Sequence, residues 1–273
     1  MEDNFQKMAV LIDADNTQLS KLEAILHEVS TYGRIVVKKA YGNWKKDMLK
    51  NWEPELKRLA IKAEQQFDYV TGKNVTDIAM VIGAMDLLFM DKYDAFVLVS
   101  SDSDFTPLAI RLRESGLYII GAGESKTPES FKNACDDFIL IELIQSKDDK
   151  KIEEEIDKEA KEKNVNETIS KEKSSKENQA NAVAEKVKVD LVANIKEIHN
   201  LLKIAYEKYQ NEAGFANVSA VGPYIKRVKP DFNSRAYGYA KLPELLAAYP
   251  EKYEITKYKG KGKVNIVAYR CKD

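Results

Sequence analysis

Five polar side chains stand where they can do chemistry. Two short apolar runs are each followed by aspartates, and a further aspartate opens an apolar helical pattern. The residues are Asp13 and Asn16 after the first run, Asp77 at the helical pattern, and Asp102 and Asp104 after the later run. Carboxylates that meet at one point repel one another, and a bound hard cation relieves the repulsion. If these loops converge, the aspartates predict a Mg²⁺ or Mn²⁺ site, because both ions prefer oxygen ligands.

Such a site suits the hydrolysis of phosphodiesters, because a bound metal lowers the pKa of water and orients a phosphate. Asn16 is then expected to position substrate or a metal-bound water. Lys73 lies beside a glycine in Thr71-Gly-Lys-Asn and is expected to meet a phosphate. Helix capping is the alternative role for each aspartate taken alone. The acids are also compatible with a phosphatase or a nucleotide-binding domain.

The apolar runs alternate with helical patterns through the first 145 residues. Five strands are expected, at Met8–Ile12, Arg34–Tyr41, Phe67–Val70, Ala95–Ser100 and Leu117–Ile120. Helices are expected between them, through Leu19 to Val29, Glu53 to Ala63, Thr76 to Met90, and Leu108 to Leu112, with Thr76 capping the third. This alternation predicts an α/β fold, a parallel sheet with helices on both faces. Ligands of such a sheet bind outside the carboxyl ends of the strands, where the aspartates stand.

Charge is unevenly distributed along the 273 residues, although the net charge is only −1. Residues 1–145 hold 17 Lys and Arg against 23 Asp and Glu, whereas residues 191–273 hold 15 against 8. Between them, residues 146–190 are rich in Lys, Glu, Asn and Ser and contain no aromatic residue, as is typical of a flexible linker. We therefore expect an acidic domain, a charged linker and a basic domain whose partner is a polyanion.

The basic domain has the outline of a small winged-helix α+β fold. Helical patterns run from Leu191 to Tyr206, from Val218 to Val228 and through Leu242 to Leu246, and two strands follow, at Tyr253–Tyr258 and Val264–Tyr269. Candidate nucleic-acid contacts are its basic and aromatic side chains: Lys226, Arg227, Arg235, Tyr237, Tyr239, Lys241, Lys259, Lys261 and Lys263. A basic hairpin tip also prevents edge pairing, and tyrosines at such positions often pack in the core.

Nothing in the sequence indicates export or membrane insertion. No apolar stretch approaches the roughly 20 residues that cross a bilayer, and Met1–Lys7 is polar and acidic. Cys135 and Cys271 lie far apart and in no metal-ligand spacing. A reducing, cytoplasmic location without membrane contact is expected.

The first domain resembles the NYN domain, a branch of the PIN-like nuclease superfamily. Three ordered motifs carry the resemblance over roughly residues 5–145: Val10-Leu-Ile-Asp-Ala-Asp-Asn16, Gly72-Lys-Asn-Val-Thr-Asp77-Ile-Ala and Val99-Ser-Ser-Asp-Ser-Asp104-Phe. The resemblance implies a PIN-like, Rossmann-like fold and Mg²⁺- or Mn²⁺-dependent cleavage of RNA. Asp13, Asp77 and Asp102 match the metal-binding acids of the family. Asp104 matches an additional acid, and Asn16 the polar position of the first motif.

The second domain resembles the OST-HTH domain, also called LOTUS. The matching segments are Val218-Ser-Ala-Val-Gly222, Pro230-Asp-Phe-Asn-Ser-Arg-Ala-Tyr-Gly238 and Lys241-Leu-Pro-Glu-Leu-Leu246. The resemblance implies a winged helix that binds RNA or, in some members, a protein partner. The whole chain is expected to be a metal-dependent ribonuclease acting on RNA, with DNA not excluded, and a homodimer through the second domain is possible. The rival hypotheses are a non-catalytic RNA-binding adaptor and a phosphatase or nucleotide hydrolase.

Overall fold

The computed structural model describes residues 5–67, 74–144, 195–259 and 265–272. Two compact units, Met1–Ile152 and Glu153–Asp273, make up the chain. The expected linker and three of the predicted phosphate contacts, Lys73, Lys261 and Lys263, lie outside the described residues. Lys259 is described only in its backbone, as the last residue of a strand.

The first unit is built on a six-stranded parallel sheet in the order β3-β2-β1-β4-β5-β6. The strands are β1 Phe5–Asp13, β2 Gly33–Gly42, β3 Lys62–Gln65, β4 Ala95–Val99, β5 Tyr118–Gly123 and β6 Asp137–Leu140. The first and fourth strands are neighbours, with Ile12 opposite Val99, which confirms that their exit loops converge. The strand order reverses at this pair, and a ligand crevice opens at such a reversal.

Helices cover both faces of this sheet and confirm the expected α/β architecture. Among the described residues they are α1 Leu22–Val29, α2 Trp52–Arg58, α3 Val75–Phe89, α4 Thr106–Glu114 and α5 Glu129–Ala134. Met8, Val10 and Ile12 of β1 pack with the apolar residues of α1 and α2. Ala9 and Leu11 face the other way and pack with α3, α4 and α5. Both faces of the central strands are therefore buried, which explains their continuous apolar sequence.

Two local expectations were wrong, and a third lies mostly outside the described residues. The strand expected at Phe67–Val70 is described only at Phe67, which is not in a strand. The edge strand Lys62–Gln65, whose charged residues carry little apolar pattern, was not expected. The second helix ends at Arg58, because Ala60 adopts a φ of 51° in the left-handed region and breaks the helical run expected to reach Ala63. The residue before α3 is Asn74, so Thr76 is in the first turn and does not cap it. The strand β6 and the helix α5 had no counterpart among the expectations.

The second unit combines three described helices with a small antiparallel sheet. The helices are α6 at 195–209, α7 Val218–Val228 and α8 Leu242–Ala247, and the strands are β7 Ala216–Asn217, β8 Tyr253–Lys259 and β9 Asn265–Cys271, paired in the order β7-β9-β8. The Tyr269 hydroxyl donates a buried hydrogen bond of 2.7 Å to the carbonyl of Leu202, joining sheet and helix. This arrangement agrees with the expected winged-helix outline. None of the described helices in either unit is long and apolar enough to span a membrane.

Candidate active site

Asp13, the last residue of β1, is the buried centre of the candidate site. Its side chain is fully buried, and its Oδ2 atom accepts hydrogen bonds of 2.8 Å from both Ser100 Oγ and Asn16 Nδ2. The backbone N–H of Asp15 donates to Oδ1 at 3.2 Å. Burial raises the pKa of Asp13, and the hydrogen bonds from Asn16 and Ser100 oppose this effect. The carboxylate is therefore held in one orientation at the end of β1.

Ser100 connects the exits of β1 and β4. Its hydroxyl donates to Asp13 and accepts a hydrogen bond of 3.1 Å from the backbone N–H of Asp102. Asp102 Oδ1 in turn accepts from the backbone N–H of Asp104 at 2.9 Å and caps the short 3₁₀ turn Ser103–Phe105. Asp102 does have the capping role that the sequence left open. A carboxylate has about four acceptor positions, however, so one capping bond leaves room for a ligand.

Asp77 brings a third segment to the site, in the first turn of α3. Its pKa is raised to about 6, first by partial burial and then by the negative charges of Asp13, Asp102 and Asp104. Asp104 is exposed, and its Oδ2 atom accepts a hydrogen bond of 3.0 Å from Asn74 Nδ2, which ties the β4 exit to the start of α3. Asp13, Asp102 and Asp104 are therefore near enough to Asp77 to disfavour its charged form.

The loop after β5 also reaches the carboxyl end of the sheet, and it contributes Glu124, which the sequence interpretation missed. Glu124 Oε1 accepts a hydrogen bond of 3.0 Å from Gln18 Nε2, and the backbone N–H of Glu124 donates to Ser101 Oγ at 2.9 Å. The close approach requires Gly123, since a Cβ there would lie 2.6 Å from the carbonyl oxygen of Ser100. Glu124 was overlooked because the fifth strand was expected to end at Ile120.

Two family profiles match the chain. The profile described as the NYN domain matches residues 7–142, and the profile described as the OST-HTH/LOTUS domain matches residues 190–265. The chain contains an NYN domain followed by an OST-HTH/LOTUS domain. The NYN domain places the first unit in the PIN-like nuclease superfamily, in agreement with its parallel sheet.

Solved structures add two likenesses to proteins without an assigned function. A crystal structure of a Vibrio parahaemolyticus protein of unknown function is 17% identical, with a TM-score of 0.43, and the match covers 51% of this chain and 94% of that one. A solution structure of an uncharacterized Nitrosomonas europaea protein is 31% identical, with a TM-score of 0.25, over 27% of this chain and 71% of that one. No curated protein matches the chain.

In the OST-HTH/LOTUS domain, the predicted basic contacts are spread over several elements. Lys226 and Arg227 lie in the last turn of α7, and Arg227 Nη2 donates to the Tyr209 hydroxyl at 3.4 Å. Arg235 and Lys241 are exposed, the former in a 3₁₀ turn and the latter just before α8. These side chains offer positive charge to solvent, as phosphate contacts need.

The predicted stacking residues of this domain take part in packing. Tyr237 is half-buried and lies against Phe232, with ring centroids 6.1 Å apart. Burial raises the pKa of the Tyr237 hydroxyl, and the negative charges of Asp231 and Glu197 add to the effect. Tyr239 also packs against the domain core. The geometry favours the packing role that the sequence left open for these tyrosines.

Proposed function

We propose that the chain is a divalent-metal-dependent ribonuclease whose NYN domain hydrolyses phosphodiester bonds. The observation that carries the proposal is the meeting of Asp13, Asp77 and Asp102, from three separate segments, at the reversal of the sheet order. Partial burial and then the charges of the neighbouring aspartates raise the pKa of Asp77 to about 6, which supports their proximity. Membership of the PIN-like nuclease superfamily supports the same chemistry.

The donor set fits Mg²⁺ or Mn²⁺, because carboxylate oxygens are the ligands that these ions prefer. Across the described residues, no group of three or more Asp, Glu, His or Cys side chains is arranged to hold one ion as it stands. Cation binding would therefore require the Asp77 and Asp102 side chains to rotate toward Asp13, which its hydrogen bonds hold in place. Asp13, Asp77 and Asp102 would hold the ion, with Asp104 as an additional ligand. When bound, the ion lowers the pKa of water and neutralises charge on the phosphate.

The protein's own residues set the geometry of this reaction. Ser100 and Asn16 fix the Asp13 carboxylate from two sides, so that its orientation does not depend on substrate. Asp104 is exposed, so its carboxylate is accessible to substrate from solvent. Lys73 is assigned to a phosphate in this proposal. The OST-HTH/LOTUS domain supplies RNA affinity through its basic side chains, and tethering raises the local substrate concentration. These side chains are Lys226, Arg227, Arg235, Lys241, Lys259, Lys261 and Lys263.

A metal-titrated cleavage assay on matched RNA and DNA oligonucleotides tests the proposal. We expect RNA cleavage that requires Mn²⁺ or Mg²⁺. Asp102→Asn should lower kcat by at least about a hundredfold, the scale of losing one electrostatic contact to the transition state. Asp91→Asn is the matched control, because Asp91 is exposed in the turn before β4. This turn lies at the amino-terminal end of the strand, opposite to the end that carries Asp102.

Each alternative predicts a different outcome of this assay. Binding of RNA with and without metal, but no turnover by the parent protein, would indicate a non-catalytic adaptor. Hydrolysis of small phosphate esters in preference to RNA would indicate a phosphatase or nucleotide hydrolase. Equal cleavage by Asp102→Asn and Asp91→Asn would place the activity elsewhere or in a contaminant.

A further inference from the structure

Lys45 and Phe67 form an exposed pair beside the acidic site. Phe67 follows β3 and is 54% exposed, and the Lys45 ammonium lies over its ring, 5.0 Å from the ring centroid. Lys45 is itself exposed, in the loop that follows β2. We call this pair the rim platform. An aromatic face and a cation together are what a nucleobase and its phosphate need for stacking and charge pairing.

Two hydrogen bonds of the Gln65 side chain, which we call the clamp, hold the loop that carries Lys45. Gln65 Oε1 accepts from the backbone N–H of Trp44 at 3.1 Å, and Gln65 Nε2 donates to Asn43 Oδ1 at 3.1 Å. The clamp fixes the loop after β2 against the end of β3. Gly42 lets this loop fold back closely, since a Cβ there would lie 3.0 Å from the Leu49 side chain. The pair is therefore placed before any ligand arrives, which lowers the entropic cost of binding.

The rim platform and the acidic site are continuous along one edge of the sheet. β2 pairs with β1 so that Tyr41 lies opposite Asp13, and the two exit loops run side by side. Lys46, the residue after Lys45, has its ammonium 3.5 Å from the Asp15 carboxylate. The contact between Lys46 and Asp15 therefore links the loop that carries Lys45 to the segment that carries Asp13.

We propose that the rim platform is a subsite for one unpaired nucleobase of the strand whose backbone lies at the acidic site. Phe67 stacks on the base, and Lys45 turns from the ring to the adjoining phosphate. A base inside a duplex is already stacked on its neighbours, so this subsite accepts only an unpaired base. The inference rests on the proposed nuclease function and adds to it a residue-level determinant of substrate binding.

Fluorescence of an introduced indole tests base stacking without any need for catalysis. Phe67→Trp is titrated with a ten-nucleotide oligouridylate and with a blunt RNA duplex of the same length, in EDTA. Phe89→Trp is the control: Phe89 is 76% exposed and ends α3, roughly 18 Å along the helix from Asp77. The parent protein corrects for the native tryptophans, and oligonucleotide anisotropy confirms that binding occurs.

We expect the single strand to quench at least about half of the emission added by Phe67→Trp, saturably, while the duplex leaves it unchanged. Phe89→Trp should respond to neither. Quenching of both variants alike, quenching by the duplex, or no quenching at oligonucleotide saturation would each overturn the subsite.

Steady-state cleavage gives the second test. Phe67→Ala should raise KM for a single-stranded substrate about tenfold with kcat little changed, since stacking on one aromatic ring is of that strength. Phe89→Ala should leave both constants unchanged. If the parent protein cleaves and the two variants behave alike, the subsite fails while the nuclease function stands. If the parent does not cleave, the nuclease function fails, and the fluorescence result alone decides whether the platform binds a base.

Discussion

Replacing Asp77 with asparagine should stabilise the metal-free protein while removing its activity. The pKa of Asp77 is raised to about 6 in the folded state, against about 3.9 in an unfolded chain. The folded state therefore disfavours the charged form. This cost is absent below about pH 4, where both states are protonated, grows between pH 4 and 6, and is complete above pH 6. Asp77→Asn removes the charge and with it this cost.

The size of the effect follows from the shift and from the exposure of the side chain. A shift of about two units corresponds to about 3 kcal/mol at most, and solvent screening of the half-exposed Asp77 reduces it to about 1 kcal/mol. The pKa of the folded state already includes the favourable position of the charge at the N-terminus of α3. The gain of about 1 kcal/mol raises Tm by about 2–4 °C at pH 7.5 in EDTA.

Differential scanning calorimetry in EDTA, at pH 7.5 and pH 4, measures this difference. The advantage of Asp77→Asn should vanish at pH 4. Adding Mn²⁺ at about 100 times its Kd should reverse the order, because binding stabilises the parent by about 2.7 kcal/mol and the variant by less. Asp86→Asn, an exposed position on the same helix, is the control and should shift Tm by less than about 1 °C. A parent protein more stable than Asp77→Asn at pH 7.5 in EDTA would refute the raised pKa of Asp77.

Three further outcomes follow from the packing. Gly123→Ala should destabilise the first unit by more than about 2 kcal/mol in urea unfolding, because its Cβ would meet the Ser100 carbonyl oxygen at 2.6 Å; an unchanged midpoint would show that the strands shift freely. Tyr269→Phe should cost the second unit about 1–2 kcal/mol in the same assay, since the buried Leu202 carbonyl loses its donor, and a neutral result would contradict the buried bond. Cys135, buried and with its pKa raised to about 12 by burial, should resist a thiol reagent at pH 8 until the protein unfolds; rapid labelling of the native protein at this residue would contradict its burial.

The central strands could be predicted from the sequence because burial on both faces demands continuous apolar residues. The runs at Met8–Ile12 and Ala95–Ser100 are continuously apolar, as strands covered by helices on both faces are, and the structure places both in the middle of the sheet. The helix Val218–Val228 was likewise predicted from its periodicity. The edge strand Lys62–Gln65 escaped prediction, because charged side chains at a sheet edge follow no apolar pattern.

The sequence also showed the types of the site residues, which are aspartates that follow buried strands. It did not show which side chains bind them through hydrogen bonds. The ties from Ser100 to Asp13 and from Asn74 to Asp104 cross 87 and 30 positions of the chain. Such partners depend on which strands pair and how closely the exit loops approach, and local periodicity contains neither. The pair of Lys45 and Phe67 arises in the same way, from two strands that meet only at the edge of the folded sheet. The sequence determined the buried central strands and the aspartates that follow them, because burial on both faces is a local demand on each strand. Only the tertiary structure decided which charged and polar side chains lie close enough to interact. Charge interactions and hydrogen bonds depend on distance in space and not on separation along the chain.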